Sequence, residues 1–180
     1  DLGSFTFAST GTDGIAIRVD EVDTSVVTPV YGNSETNDDI AGIEIKDAAY
    51  LLSAKGNVVS SEAYLYLVGG NGSLTSSAGK GFRAASNIFI NGGDFTVKTP
   101  TDDCIHSTSG SVSCGGGTYV LTSGTASGCQ GIKGETSVII NGGSFAVTSS
   151  YEGIAAHKIT VTGGTTSVVA SDDGWSAGGT

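Results

Sequence analysis

Hydrophobic and polar residues alternate along most of the chain, in short runs that are separated by pairs of glycines. The runs LYLV, IFIN, VIIN and ITVT each precede a Gly-Gly pair, and the runs DFTV, TYVL and SFAV each follow one. Alternation with a period of two places every second side chain on the same face of a β-strand. The pattern therefore predicts a short strand on each side of every glycine pair.

The glycine pairs recur with a long period. Successive pairs are 23, 24, 26 and 21 residues apart. They lie at positions 69–70, 92–93, 116–117, 142–143 and 163–164. Each unit also contains a short corner motif of the kind QGI (130–132), in which a hydrophobic residue follows the corner. One unit cannot bury its hydrophobic face alone, whereas stacked units share a continuous core.

The repeat predicts an all-β parallel β-helix, or β-solenoid, with three short strands in each turn, here called a rung, of 21–26 residues. A β-sandwich is the main alternative, but its strands would not return at one phase of a long period. Stacking the units in register also predicts columns of core side chains. These columns are Ile88, Val112, Val138 and Ile159; Ile90, Cys114, Ile140 and Val161; Phe95, Tyr119 and Phe145; Val97, Leu121, Val147 and Val168; and Phe82, Ile105, Ile132, Ile154 and Trp175.

The first 60 residues fit the repeat less well than the rest. Residues 20–40 interrupt the period, so we expect irregular rungs or a cap over residues 1–60 and regular rungs over residues 61–180. Solenoids need protected ends. No cap is recognisable after Trp175, so either the natural protein continues or another molecule covers the last rung.

The charge balance excludes one class of partner. The chain has 18 acidic residues against 8 lysines and arginines, a net charge of −10, whereas nucleic-acid binding needs clustered cations. No hydrophobic run is long enough to span a membrane. The chain contains no Met and begins at Asp1, so we expect a processed or partial chain, which is consistent with export. We therefore expect an extracellular or cell-surface location.

Acidic residues recur at the corners of the predicted rungs. In register, Asp103, Glu152 and Asp173 stack along one edge, with neighbouring rungs about 4.8 Å apart. Carboxylate and carbonyl oxygens are the ligands that Ca²⁺ prefers, although Asp also suits tight turns without any ion. Both readings stay open. The candidate metal ligands are Asp102, Asp103, Glu152, Asp172 and Asp173.

Few residues support catalysis. Arg83, Lys98, Lys133 and Lys158 are scattered, and they form no cluster of acid and base. We therefore expect no enzymatic activity, with a polysaccharide lyase as the remaining alternative. His106 and His157 follow corner motifs two rungs apart, and we expect both side chains to lie on the surface.

Aromatic side chains on the outer face could stack on sugars. The alternation predicts that Tyr66, Phe89 and Tyr151 point outward. Among the three cysteines, Cys114 belongs to a core column, and an odd count leaves at least one thiol unpaired within the chain. Cys104 and Cys129 lie near equivalent corners, so a disulfide between them is a candidate.

One further modification is written in the sequence. Asn71, Gly72 and Ser73 form the only N-glycosylation acceptor sequence of the chain. It predicts a glycan on Asn71 if the source has that pathway.

The units GFRAASNIFINGGDFTVKTPTDDCIHS and EGIAAHKITVTGGTTSVVASDDGWSAGG resemble a family of exported, mostly bacterial carbohydrate-binding proteins. That family carries repeats of the type GIKA…ITINGGTITI…DDGIHS, and the resemblance covers residues 64–180. It implies a right-handed parallel β-helix similar to pectate lyases, with calcium at the corner acids and polysaccharide as the partner, without clear catalysis. Cys104 replaces a corner glycine, and Lys80 and Gln130 occupy acid positions.

Two functional hypotheses follow. The first is a non-enzymatic extracellular β-helix that binds polysaccharide, with calcium as a possible cofactor. The second is a structural protomer of an extracellular filament or surface layer, which assembles end to end. In that case Phe5 and Phe7 at one end and Trp175 at the other would form the assembly contacts.

Overall fold

A computed structural model of the protein describes residues 4–9, 17–19, 42–46 and 48–178. All regular secondary structure in these residues is β-strand. The eighteen described strands are β1 (Ser4–Ser9), β2 (Ile17–Val19), β3 (Gly42–Ile45), β4 (Ala49–Ala54), β5 (Val59–Ser61), β6 (Tyr64–Leu67), β7 (Asn71–Ser76), β8 (Phe82–Ala84), β9 (Ile88–Ile90), β10 (Asp94–Thr99), β11 (Ile105–Ser107), β12 (Ser111–Cys114), β13 (Thr118–Ser123), β14 (Gln130–Ile140), β15 (Ser144–Ser149), β16 (Glu152–Val161), β17 (Thr165–Val168) and β18 (Trp175–Ala177).

The strands pair in parallel and form three faces. The first face has the order β1-β4-β7-β10-β13-β15-β17. The second contains β2, β5, β8, β11 and the first halves of β14 and β16, and ends at β18. The third contains β3, β6, β9 and β12 and the second halves of β14 and β16. The predicted all-β parallel β-helix with three strands per rung is therefore confirmed, and β14 and β16 each run through one corner without a break.

The predicted columns form in register, but their members on the last rung, Val161 and Trp175, are 40% and 48% exposed and do not belong to the core. Ile88, Val112 and Val138 are paired in register and fully buried, and the column continues to Ile159. The aromatic column is also continuous, with ring centroids 5.7 Å apart between Phe95 and Tyr119. The hydrophobic interior is thus shared between rungs, as a solenoid requires.

The N-terminal part is described only in pieces. β3, β4 and β5 pair in parallel with β6, β7 and β8 of the next rung. Residues 20–41 lie outside the described residues, so the predicted cap there remains a prediction. Within the described part of the chain, no helix is long and apolar enough to cross a membrane.

The second glycine of each pair makes a corner that other residues resist. Gly117 has a φ of +83°, in the left-handed region that L side chains rarely adopt. A Cβ atom on Gly117 would lie 2.6 Å from the carbonyl oxygens of Gly92 and Gly93 in the preceding rung. The glycine is therefore required both by the backbone conformation and by the close stacking of rungs.

We predict that Gly117→Ala lowers the free energy of unfolding by about 3 kcal/mol, because backbone strain adds to a steric clash. Gly128→Ala is the matched control, since Gly128 has a φ of +90° but no atom within 4 Å of an added Cβ. It should cost about 1 kcal/mol, from the backbone alone. Urea unfolding measures both values, and equal losses would contradict the proposed clash.

Candidate functional site

The predicted acidic column forms along the corner that precedes the second face. Gln130 pairs in register with Glu152, and the Asp103 carboxylate accepts a hydrogen bond of 2.7 Å from the Gln130 backbone N–H. One rung further, the backbone N–H of Gly153 donates to the Asp173 carbonyl at 2.9 Å. Asp103, Gln130, Glu152 and Asp173 therefore occupy one column on four successive rungs.

A lysine neutralises the lower end of this column. Lys80 Nζ lies 2.6 Å from Asp102 Oδ1 and 3.6 Å from Asp103 Oδ2. Asp102 Oδ1 also accepts the backbone N–H of Asp103, and the side chain of Asp103 is only 3% exposed. Both acids therefore already have partners within the protein, and their role as metal ligands remains a prediction.

The upper end of the column is a cluster of three carboxylates. Glu152, Asp172 and Asp173 each offer an oxygen, and these oxygens lie within 4.8 Å of one another. Gln130 Nε2 donates to Glu152 Oε2 at 2.7 Å and so orients one of the three groups. Both aspartates are exposed, and Glu152 is half-buried. All-oxygen donors of this kind suit hard cations such as Ca²⁺ better than they suit Zn²⁺, which prefers nitrogen and sulfur ligands.

Tyr151 belongs to this upper cluster. A hydrogen bond between its phenol and Asp172, and the negative charge of that carboxylate, raise the pKa of Tyr151. The phenol therefore stays protonated at neutral pH. Of the three aromatic residues that the sequence predicts to bind sugar, only Tyr151 lies beside the carboxylates.

Tyr66 lies on the outer face as predicted, but its side chain is not open to solvent. Tyr66 alternates with the core residues Leu65 and Leu67 as expected, but it is only 4% exposed. Its ring stacks on the half-buried Phe89 with centroids 5.1 Å apart and an interplanar angle of 6°. Tyr64 extends the same stack. These rings pack mainly on one another, so Tyr66 offers little surface to a sugar.

His106 is buried, contrary to the predicted surface position. Its Nδ1 lies 2.7 Å from Asp103 Oδ2, although the pair is not aligned as a hydrogen bond, and its Nε2 lies 3.1 Å from Glu135 Oε1. Lys133 Nζ contacts the same Glu135 oxygen at 3.0 Å. Partial burial would raise the pKa of Glu135, but its hydrogen bonds with Lys133 and His106 outweigh it and lower that pKa. His157, in contrast, is exposed as predicted.

The predicted disulfide between Cys104 and Cys129 is not formed, and all three cysteines are free and buried. Cys104 Sγ instead lies 3.2 Å from Thr99 Oγ1 and 3.7 Å from the Val97 carbonyl, both in its own rung. Burial raises the pKa of the Cys104 thiol to about 12, so it remains protonated. Cys114 lies in the core column assigned to it.

The predicted glycosylation site is exposed, and the predicted assembly residues lie on the first and last described strands. Asn71 is exposed at the start of β7, and its glycosylation remains a prediction. Phe5 and Phe7 lie on β1, the first strand of the first face, opposite Tyr50 and Leu52. Trp175 begins β18 and is 48% exposed, although it pairs with the buried Ile154.

One comparison with known proteins gives a match. The model of a family described as "Carbohydrate-binding domain-containing protein" matches residues 3–174, which is nearly the whole chain. No curated protein and no solved structure matches it.

Proposed function

The chain belongs to the family of carbohydrate-binding domain-containing proteins, and on this basis we propose that it is a non-enzymatic, extracellular protein that binds polysaccharide with the help of calcium. The observation that carries the calcium part is the cluster of Glu152, Asp172 and Asp173 beside Tyr151. Like charges this close repel one another, and a divalent cation would relieve that repulsion.

The chemistry of the cluster fits calcium. Its three carboxylates would hold the ion, and the amide of Gln130 fixes the orientation of Glu152 at 2.7 Å. Ca²⁺ takes six to eight oxygen ligands, so a bound ion offers further coordination positions to hydroxyl groups. The ring of Tyr151, half-buried at the edge of the cluster, provides an apolar surface of the kind that packs on a sugar ring.

The basic side chains beside the column support binding over catalysis. A lyase needs a base that can accept a proton, whereas Lys80 and Lys133 each contact a carboxylate at 3.0 Å or less. Arg83 is paired in the same way with Glu62, 2.5 Å away. These cations are therefore engaged in ion pairs that stabilise the rungs.

We predict that the double variant Asp172→Asn, Asp173→Asn loses calcium binding. Isothermal titration should give a calcium isotherm for the native chain and none for the variant, because neutral amides are weaker ligands for Ca²⁺. Asp94→Asn is the matched control, since Asp94 is an exposed acid on β10, outside the cluster. Calcium binding that persists in the double variant would contradict the assignment.

Polysaccharide binding should follow calcium. In affinity electrophoresis the native chain should be retarded by a polysaccharide with calcium, and EDTA should weaken the retardation. If EDTA leaves the retardation unchanged, the chain binds polysaccharide without the help of calcium.

We propose a filament protomer as the second candidate, because large hydrophobic side chains are exposed on the last described rung. Trp175 is 48% and Val169 is 64% exposed. A second copy stacked end to end would place its β1, which contains Phe5 and Phe7, on β17 and its β2 on β18, and so cover both faces of this rung. Electron microscopy of the purified chain tests this: fibres that Trp175→Ser abolishes support the candidate, and a monomeric particle excludes it.

A further inference from the structure

A groove of about 580 Å³ crosses the end of the first face, where β7, β10 and β13 meet the following corner. None of the five predicted metal ligands lines it. Its walls carry mostly hydroxyl side chains, together with one cation, Lys98. The groove is therefore a site of its own, which the acidic corner does not include.

The floor of the groove is a row of side chains in register. Lys98 pairs with Thr75 of the preceding rung and with Thr122 of the following one. Their inner neighbours Val97 and Leu121 are fully buried in the core, so the row points outward. A hydroxyl, an ammonium and a hydroxyl group therefore follow one another at the rung spacing of about 4.8 Å, close to the length of one sugar ring.

An irregularity of the coil lies at one end of this row. The pairing of β13 with β15 shifts after Leu121, so that Thr122 lies opposite Ser149 and Thr148 is the extra residue. The hydroxyls of Thr122 and Thr148 are 2.8 Å apart. Bulges redirect side chains and are common beside functional sites. Here the bulge brings Ser149 into the lining of the groove.

A second departure from the repeat forms one wall. The glycine pairs on either side of residues 124–128 are 26 residues apart, the longest spacing among the regular rungs. A Cβ atom on Gly124 would lie 2.2 Å from the Pro100 carbonyl oxygen, so this loop packs directly on the preceding rung. Ser171 Oγ donates to the Thr125 carbonyl at 3.1 Å and ties the loop to a later rung.

Lys98, the one cation among the residues that line the groove, differs from three of the other cations near the coil surface. Lys80, Arg83 and Lys133 each lie within 3.0 Å of a carboxylate oxygen. For Lys98, no carboxylate within 4.0 Å is found in the part of the chain that the structure describes. An exposed, unpaired ammonium group in a chain of net charge −10 favours a ligand that carries its own negative charge.

We propose that this groove binds a stretch of polysaccharide along the axis of the β-helix and that Lys98 selects chains with anionic substituents, either carboxylate or sulfate. Thr75 and Thr122 bond sugar hydroxyls on the two rungs that flank Lys98, and the 124–128 loop limits the width of the groove. This inference rests on the proposed carbohydrate binding and adds a second site, with its own selectivity, to the acidic corner.

The test is affinity electrophoresis against soluble polysaccharides of three classes. Polygalacturonate and hyaluronan carry carboxylates, λ-carrageenan carries sulfates, and a soluble β-glucan is uncharged. The native chain should bind at least one anionic class more tightly than the glucan. Lys98→Glu should weaken that binding about ten-fold or more, the loss of one charge-assisted contact, while Lys98→Arg retains it. Comparing the two anionic classes decides between carboxylate and sulfate.

Lys158→Glu is the matched control, because Lys158 is exposed on β16 and does not line the groove. It should bind like the native chain. If both charge-reversed variants lose the same affinity for the anionic polysaccharide, or if Lys98→Glu loses none, the groove is not the binding site. If the acidic-corner double variant alone loses binding, the groove is wrong and the proposed function survives. If the native chain binds none of the polymers, with calcium or with EDTA, both fail.

Discussion

Replacing Asp103 with alanine is expected to lower the free energy of unfolding by about 3 kcal/mol. The Asp103 carboxylate is buried, accepts the Gln130 backbone N–H at 2.7 Å and lies 2.7 Å from His106 Nδ1. Its removal leaves that N–H without an acceptor, takes away the carboxylate beside His106 and leaves Lys80 with one counter-charge fewer. Buried groups that lose their partners cost more than the pair itself contributes.

The control variants separate hydrogen bonding from charge. Asp103→Asn keeps an oxygen for the Gln130 N–H and should lose less than the alanine variant. Asp102→Asn changes a more exposed acid, whose side chain is 26% accessible, and should lose about 1 kcal/mol or less. Urea unfolding with an unchanged m-value measures all three. If Asp103→Ala is no worse than Asp102→Asn, the buried contacts do not stabilise this corner.

Replacing Tyr119 with alanine is expected to cost about 4 kcal/mol. Tyr119 is fully buried, and its ring lies between Phe95 and Phe145, at centroid distances of 5.7 Å and 5.4 Å. The cavity would open in the middle of a column that three rungs share. Because each rung is stabilised mainly by its neighbours, the loss should be felt on both sides of β13.

The phenol of Tyr119 can be tested separately from its ring. Burial raises the pKa of Tyr119, so the hydroxyl stays protonated and donates to the Gly92 carbonyl at 2.7 Å. Tyr119→Phe should therefore cost about 1 kcal/mol. Leu51→Ala is the outer-surface control, since Leu51 is 56% exposed on β4, and should stay within about 0.5 kcal/mol of the native chain. A loss in Tyr119→Ala no larger than that in Leu51→Ala would contradict the shared core.

The coil and its interior could be predicted because two signals in the sequence have the same phase. The alternation fixes which side chains face inward, and the glycine pairs fix where each rung restarts. Together they assign Phe95 to Tyr119 and Val97 to Leu121, which are the pairs that the structure forms. Each such column contains only residues that occupy the same position in successive repeats, so the repeat alone predicts it.

The site was harder to predict because its contacts join residues that occupy different positions in the repeat. The contact of His106 with Glu135 joins residues 29 positions apart in adjacent rungs, away from the register row that contains His106 and Lys133. Alternation places Tyr66 on the outer face but gives no account of the neighbours that bury it. One signal was present: Lys80 occupies the corner slot that Asp103 fills in the next rung, so a cation stands directly beside an acid.

That lysine gives the two ends of the acidic column different responses to the medium. At Asp102 and Asp103 the compensating cation is covalently part of the chain, so this rung should hold the same order in any buffer. At Glu152, Asp172 and Asp173 the described side chains supply no such cation, and the proposed ion must come from solution. Chelation should therefore loosen the chain progressively from its last described rung, and amide hydrogen exchange near β18 should quicken while that near β11 stays slow.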